Sequence, residues 1–432
     1  PRRPTRCAEA RFPRSTRGYL ARVEPMIRTT HVGSLPRSAE VLAAIEEREA
    51  GGPELDPALV RRAVAECVDR QVETGLDVVN DGETAKTSYV TYIRDRLTGF
   101  GAGRRPPGPA DNDLADFPEY AERVRRTRPE LPVCTGEIGY RDTGPVQADI
   151  GALRAALARH PDREGFLTAA SPGIVALYHG NLHYPDRESY VLAIAEAMKT
   201  EYDAIHAAGL LLQLDCPDLA VQRTFFPPDA DGLAAFRRLA AENVAVLNHA
   251  LRDIPPEGVR LHVCWGNSEA PHTRDVALRD VLDIVLTARA ATLSFEGANP
   301  RHGHEWAVFT EVELPDDRWI LPGMIDSTTH FVEHPELVAD RIERYARAVG
   351  PERVLAGTDC GMATFAANES ALDQRVAWAK LRSLVEGAEL AARRLRRAPA
   401  RSHPRAGQGS APPADPDAHP AERDARRGAR GS

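Results

Sequence analysis

SYVLAIAEAMKTEYDAIHAAGLLLQLDC, residues 189–216, contains one full repeat of the pattern that organises this chain. Up to Ala208 the apolar residues recur three or four apart, as at Val191, Ile194 and Met198, which is the period of a helix buried along one face. Gly209 ends that pattern, because glycine accepts the left-handed conformation that closes a helix. A short apolar run follows, LLLQLDC (210–216), which reads as a strand with polar residues at its far end.

The same unit recurs on both sides. Strand-like runs lie near 27–33, 76–82, 131–139, 165–171, 210–216, 259–265, 291–297, 320–326 and 353–359. Helical patterns occupy 59–75, 189–209, 233–253, 334–350 and 369–395. Strands alternating with helices give a parallel sheet, and at this length the fold class is α/β, a single (β/α)8 TIM barrel. Nine runs compete for eight places. The run at 131–139 has no clear helix before it and is assigned to a peripheral hairpin.

Composition bounds the rest. Hydrophobic residues are 42% and charged residues 27% of 432, ordinary for a globular protein. No apolar run approaches the length of a membrane span. Six cysteines are too few and too scattered for a disulfide scaffold, and no stretch reads as a secretory signal, so the expected location is the cytoplasm. The formal charge of −8 is uneven: residues 1–25 carry +5 and residues 391–432 carry +6, leaving the body at −19. An acidic body argues against nucleic acid or an anionic membrane as partner.

Residues 1–25 read as a disordered or misannotated extension, with Met26 as the expected natural start and an Arg-rich transit peptide as the rival reading. The barrel is expected over 26–395. Residues 396–432, rich in Pro, Ala, Arg, Gly and Ser, read as a disordered tail.

Polar residues cluster at the C-terminal ends of the strand runs: Ser34, Glu83, Asp215, Cys216, His262, Cys264, Glu296, Asp326, Asp359 and Cys360. In a barrel those ends converge on one mouth. His262 and Cys264 alternate on a strand, so they share a face and make half of a tetrahedral zinc site. Taken alone that triplet is a weak signal. Cys360 and Glu296, each ending a later strand, are placed to complete it. His302 and His304 form a rival pair, but their Gly- and Pro-rich loop reads as a home for exposed histidines.

Seven separated motifs then carry a resemblance over residues 27–390. THVGSLPR (30–37), GLDVVNDGE (75–83), LQLDCP (212–217), LHVCWGN (261–267), LSFEGANPR (293–301), PGMIDS (322–327) and GTDCGM (357–362) occur in order. Together they resemble the catalytic barrel of cobalamin-independent methionine synthase and its relatives, which include the epoxyalkane–coenzyme M transferases. The resemblance implies zinc held by His262, Cys264, Glu296 and Cys360, and a substrate thiol bound to it as thiolate. It implies that Ser34, Glu83 and Asp215, with the backbone of Val32 and Gly33, hold the amino-acid part of homocysteine. It also implies a methyl donor, either methylfolate or a methyl-corrinoid carrier.

Three positions depart from the family pattern. Tyr178, in ASPGIVALYHG (170–180), stands where the family has a pterin-stacking Trp. Asp326 is followed by a histidine only at His330, four residues on rather than two, so the catalytic pair is displaced. Cys216 replaces an acidic residue. The chain also has room for one barrel where methionine synthase of this type has two.

The expected activity is zinc-dependent S-methyl transfer to a thiol, most simply homocysteine. The ligand chemistry agrees: two thiolates and a carboxylate make zinc a poor Lewis acid for water and leave a bound sulfur electron-rich. Three alternatives remain at this point. One is alkyl or epoxide transfer to another thiol such as coenzyme M. The second is a metal-free lyase resembling uroporphyrinogen decarboxylase. The third is a binding protein with a structural zinc.

Overall fold

A computed structural model describes residues 27–103, 112–125, 131–366 and 372–397. The expectations for residues 1–25, for Met26 and for the tail beyond Arg397 lie outside the described residues.

Ten strands are formed: β1 (Arg28–Thr29), β2 (Val78–Asn80), β3 (Phe100–Gly101), β4 (Val133–Cys134), β5 (Glu164–Ala170), β6 (Leu211–Asp215), β7 (Val259–Val263), β8 (Thr292–Phe295), β9 (Trp319–Ile325) and β10 (Leu355–Thr358). Eight build one parallel sheet in the order β1-β10-β9-β8-β7-β6-β5-β2. That order brings the first two strands to opposite edges, which meet as the sheet curls. Their seam carries one backbone bond, from Asp77 N–H to Thr29 O at 3.0 Å. The Asp77 carboxylate accepts from the Thr29 N–H (2.9 Å) and hydroxyl (3.1 Å), and the Thr30 hydroxyl donates to Val78 O (3.0 Å). The fold is a (β/α)8 TIM barrel. The run at 131–139 stands outside it, its strand β4 pairing antiparallel with β3 in a separate two-stranded sheet.

The long helices begin and end as their sequences dictate. The helix Pro57–Thr74 starts with proline after an Asp56 cap and stops at Gly75, whose φ is 99°. Asp186 and Asp229 cap the helices Arg187–Ala207 and Ala230–Ala250 through the N–H groups of Ser189 and Gly232. The helix Gln374–Arg397 runs slightly past the expected barrel boundary. Two helices of more than ten residues, Ala39–Glu49 and Gly144–Leu157, have no counterpart among the expected segments, and neither do the shorter Pro118–Arg125 and Pro172–Tyr178. Between β7 and β8 the chain forms only short turns of helix, at Leu278–Asp280 and Leu282–Val285.

The buried faces of strands and helices merge into one dominant apolar core. Among the described residues no helix is long and apolar enough to cross a membrane.

Candidate active site

β7 delivers His262 and, just beyond its end, Cys264 to the mouth of the barrel, and both side chains are buried. The Nδ1 of His262 lies 3.2 Å from the Ser294 hydroxyl on β8, which leaves Nε2 facing Cys360 Sγ at 3.7 Å. Cys264 Sγ and Cys360 Sγ are 3.2 Å apart. The donor atoms of His262, Cys264 and Cys360 all lie within 4.8 Å of one another, so these three can hold a metal ion. Glu296, at the end of β8, reaches the same place: its Oε1 is 3.5 Å from Cys360 Sγ.

Electrostatics separate these groups. Burial holds His262 neutral, lowering its pKa to about 4. The hydrogen bond from Cys360 lowers the Cys264 thiol, and the same bond, with burial, pushes Cys360 well up. Burial and the Cys264 charge push the Glu296 carboxyl well above its usual range. Three acids therefore crowd a dry pocket that discourages their joint ionisation. A cation among them removes that conflict.

Glu296 is held from both sides. Its Oε1 accepts from Trp265 N–H (2.8 Å) and its Oε2 from the Asn299 side-chain amide (2.8 Å). Asp359, preceding Cys360, secures the same loop by accepting from the N–H groups of Gly297, Ala298 and Asn299, each at 2.8 Å. Burial raises the Asp359 pKa to about 6 against those bonds.

A second group of side chains faces this one across the mouth. Asp215 ends β6 directly opposite His262 in the sheet register. Burial, with the Glu83 charge adding to it, pushes Asp215 up to about 7. Gln213 donates to Asp215 (3.0 Å) and to the Val32 carbonyl. The Val32 N–H donates to the Thr358 hydroxyl at 3.1 Å. Glu83 takes a φ of 54°, an unusual conformation for a residue with a side chain. Its Oε1 accepts from the Thr168 hydroxyl (2.9 Å), which Lys86 Nζ approaches at 3.1 Å, while its Oε2 is buried without a partner. Gly33 permits this placement, because a Cβ there would meet Glu83 Oε1 at 2.6 Å. Ser34 is buried beside Gly361, and its carbonyl accepts from Met362 N–H at 2.8 Å.

Tyr178 is half-buried, with its hydroxyl 3.4 Å from that of Tyr89. Tyr89 lies edge-on between Tyr178 and Phe365, at 6.4 and 6.3 Å between ring centres. Asp326 is buried after β9, and its Oδ1 accepts from the Thr328 N–H (2.8 Å) and hydroxyl (2.9 Å). His330 is not brought to this group: it is exposed, and its Nε2 accepts from Asp373 N–H at 3.3 Å.

The expectation of an exposed His302 is corrected. His302 is 3% exposed and its nitrogens meet Glu305 and Asp275 at 2.9 and 3.0 Å. Two buried carboxylates drew the imidazole inward: Glu305, three residues on, and Asp275, of which the residues around His302 gave no sign. Sequence reasoning also passed over Lys86, Tyr89, Thr168, Trp265, Asn299 and Phe365. The i, i+3 spacing of Glu296 and Asn299, and of His302 and Glu305, was the available signal for two of these contacts.

The comparisons accord with this geometry. The uncharacterized protein YxjH of Bacillus subtilis is 27% identical over 374 residues, covering 83% of this chain and 93% of that one. A methionine synthase of Thermococcus kodakarensis is 24% identical, covering 86% and 96%. The solved B12-independent methionine synthase of Shewanella sp. W3-18-1, in complex with selenomethionine, superposes with a TM-score of 0.64 at 19% identity, covering 86% and 99%. The family model described as cobalamin-independent synthase, catalytic domain, matches residues 26–110 and 120–389, and the chain belongs to that family.

Proposed function

We propose that this protein is a cytoplasmic, zinc-dependent S-methyltransferase acting on a small-molecule thiol, homocysteine first among them, with methylfolate or a methyl-corrinoid as donor. The observation that carries the reading is the convergence of His262, Cys264 and Cys360, with Glu296 against Cys360. One imidazole, two thiols and a carboxylate are donors suited to zinc; the first three lie within 4.8 Å of one another and Glu296 Oε1 lies 3.5 Å from Cys360 Sγ. In this reading those four residues hold the ion. Zinc supplies, when bound, the positive charge that keeps a thiol sulfur deprotonated at neutral pH.

The remaining residues orient the substrate. The unpartnered Glu83 Oε2 and the nearby Asp215 are acceptors for an ammonium group. Ser34 and the backbone of Val32 and Gly33 hold the carboxylate end. Two buried carboxylates repel a sulfonate, which weighs against coenzyme M. Tyr178, with Tyr89 and Phe365, forms an aromatic wall for the donor. The proton for the leaving group falls to Asp326 or His330, and His330 reaches the mouth only if it leaves Asp373.

The test is metal content together with methyl transfer from methyltetrahydrofolate, or from a methyl-corrinoid, to homocysteine and to coenzyme M. Purified protein should carry one zinc per chain and methylate homocysteine, and Cys264→Ser and Cys360→Ser should lose both properties. Variants retaining full zinc and full activity, or a preference for coenzyme M, refute the reading.

A further inference from the structure

Behind Cys264 and Glu296 lies a charged cluster that the proposed reaction does not use. His302 Nδ1 meets Glu305 Oε2 at 2.9 Å and its Nε2 meets Asp275 Oδ2 at 3.0 Å. His272 Nδ1 approaches that same Asp275 oxygen at 3.0 Å. The side chains of His302, Asp275 and Glu305 are at most 4% exposed. With a carboxylate at each nitrogen, the His302 ring carries both protons as an imidazolium. Burial opposes that charge, but the bonds to Asp275 and Glu305 outweigh it and raise the pKa to about 10.

Three buried ionisable groups, with the half-buried His272 beside them, are costly unless geometry is closely satisfied. Here the cluster fixes one ring. The Trp265 indole lies against His302, 4.4 Å between ring centres at 37°, and its Nε1–H donates to Val276 O at 2.7 Å. Glu305 ties down the same segment by accepting from Leu278 N–H at 2.7 Å. Trp265 directly follows Cys264, and its backbone N–H is the donor to Glu296 Oε1. A second arm starts from the His302 backbone. Its N–H donates to Asn299 Oδ1 (3.1 Å), which orients the Asn299 amide to donate to Glu296 Oε2 (2.8 Å).

We propose that His302 is a positioning residue for Glu296: its ring fixes Trp265, whose N–H holds one carboxylate oxygen while the Asn299 amide, set by the backbone N–H groups of Arg301 and His302, holds the other, so that the carboxylate stays in place as the fourth metal ligand. The inference rests on the zinc reading and adds a residue to it. Its physical basis is that a buried carboxylate beside two thiols would otherwise rotate away from them. Groups that orient a ligand commonly contribute about 10–100-fold to metal affinity.

The test uses the full chain loaded with Co²⁺, whose visible absorption reports the number and kind of ligands, and zinc affinity by competition with a chelator. The variants are His302→Gln, Asn299→Ala and Glu296→Gln. His302→Gln and Asn299→Ala should each lose about 10–100-fold in zinc affinity and shift the cobalt spectrum toward that of Glu296→Gln. Arg96→Met is the control for unsettling a buried pair elsewhere, since Arg96 binds Asp149 at 2.5 Å; it should keep the wild-type spectrum. If His302→Gln does not fold, Glu305→Gln removes one charge and keeps the ring, and it should give the same shift in smaller degree. A wild-type spectrum and affinity in His302→Gln or Glu305→Gln overturns the positioning role and leaves the zinc reading intact. A wild-type protein that binds neither Co²⁺ nor Zn²⁺ overturns the zinc reading and this inference with it.

Discussion

Replacing Glu83 by Gln should weaken recognition of the amino group and leave the rest of the site standing. The carboxylate is 2% exposed, with Oε1 occupied by the Thr168 hydroxyl and Oε2 unpartnered. The backbone beneath it sits at φ 54°, a conformation costing about 1–2 kcal/mol for a residue with a Cβ. Strain and an empty acceptor in one residue suit a group waiting for a ligand donor. An ammonium donating to that oxygen makes a charge-assisted hydrogen bond, a contribution of about 1.5–3 kcal/mol. Glu83→Gln keeps an acceptor for Thr168 but removes the charge. The loss in kcat/KM for homocysteine should therefore be about 10–150-fold. The assay compares homocysteine with 4-mercaptobutyrate, which has the same thiol–carboxylate chain but no ammonium. The variant should fall on the first and hold its rate on the second. On the proposed reaction methionine, the product, is expected to raise the melting temperature, and that stabilisation should shrink by the same free energy in the variant. An equal loss on both thiols, or none on either, refutes the assignment.

Further outcomes follow from other contacts. In Gly323→Ala the new Cβ would lie 1.9 Å from Asp359 Oδ1 and 2.7 Å from Asp359 backbone atoms, with no flexible side chain to yield. Expected is a loss of about 1–3 kcal/mol, read as a fall in Tm of about 1–4 °C, together with weaker zinc binding; an unchanged melt contradicts this. The stability of chelator-treated protein should depend on pH through His302 and His272, whose folded pKa values stand at about 10 and 9 against an ordinary 6.5. A histidine raised on folding stabilises fully below its unfolded pKa, and that contribution disappears as pH rises through the folded value. Denaturant midpoints should accordingly fall between about pH 7 and 10, and less steeply in His302→Gln; identical slopes would argue against the buried imidazolium.

The barrel was legible because each strand–helix unit carries its own punctuation. Gly75 and Gly209 stop helices, Asp186 and Asp229 start them, and the nine apolar runs sort into eight barrel strands and one outlier at 131–139. Gly144–Leu157 escaped notice because its opening Gly144-Pro145 reads as a turn, although Val146, Ile150 and Leu153 follow at helical spacing and are buried. In the site, His262 and Cys264 were visible through strand alternation, and Cys360 and Glu296 through their places at strand ends. The residues that hold those side chains were not. Asn299 and Trp265 act through an amide and a backbone N–H, which leave no mark on periodicity or composition. His302 was misplaced because its partner Asp275 is 27 residues away, on a connection with no regular element to fix it.

The pairing of β1 with β10 has a consequence for how the protein is made. Thr30 N–H bonds to Ala356 O, Val32 N–H to Thr358 and Met362 N–H to Ser34 O. β1 thus waits more than 320 residues for its neighbour. Loops that long close late, because their entropy must be met before the contacts reward it. Val32, Gly33 and Ser34 travel on that strand, and Cys360 arrives with the strand they wait for. The two halves of the mouth are therefore completed in the same event, so a nascent chain that ends short of Cys360 has neither the thiol pair nor the full group of side chains that faces it.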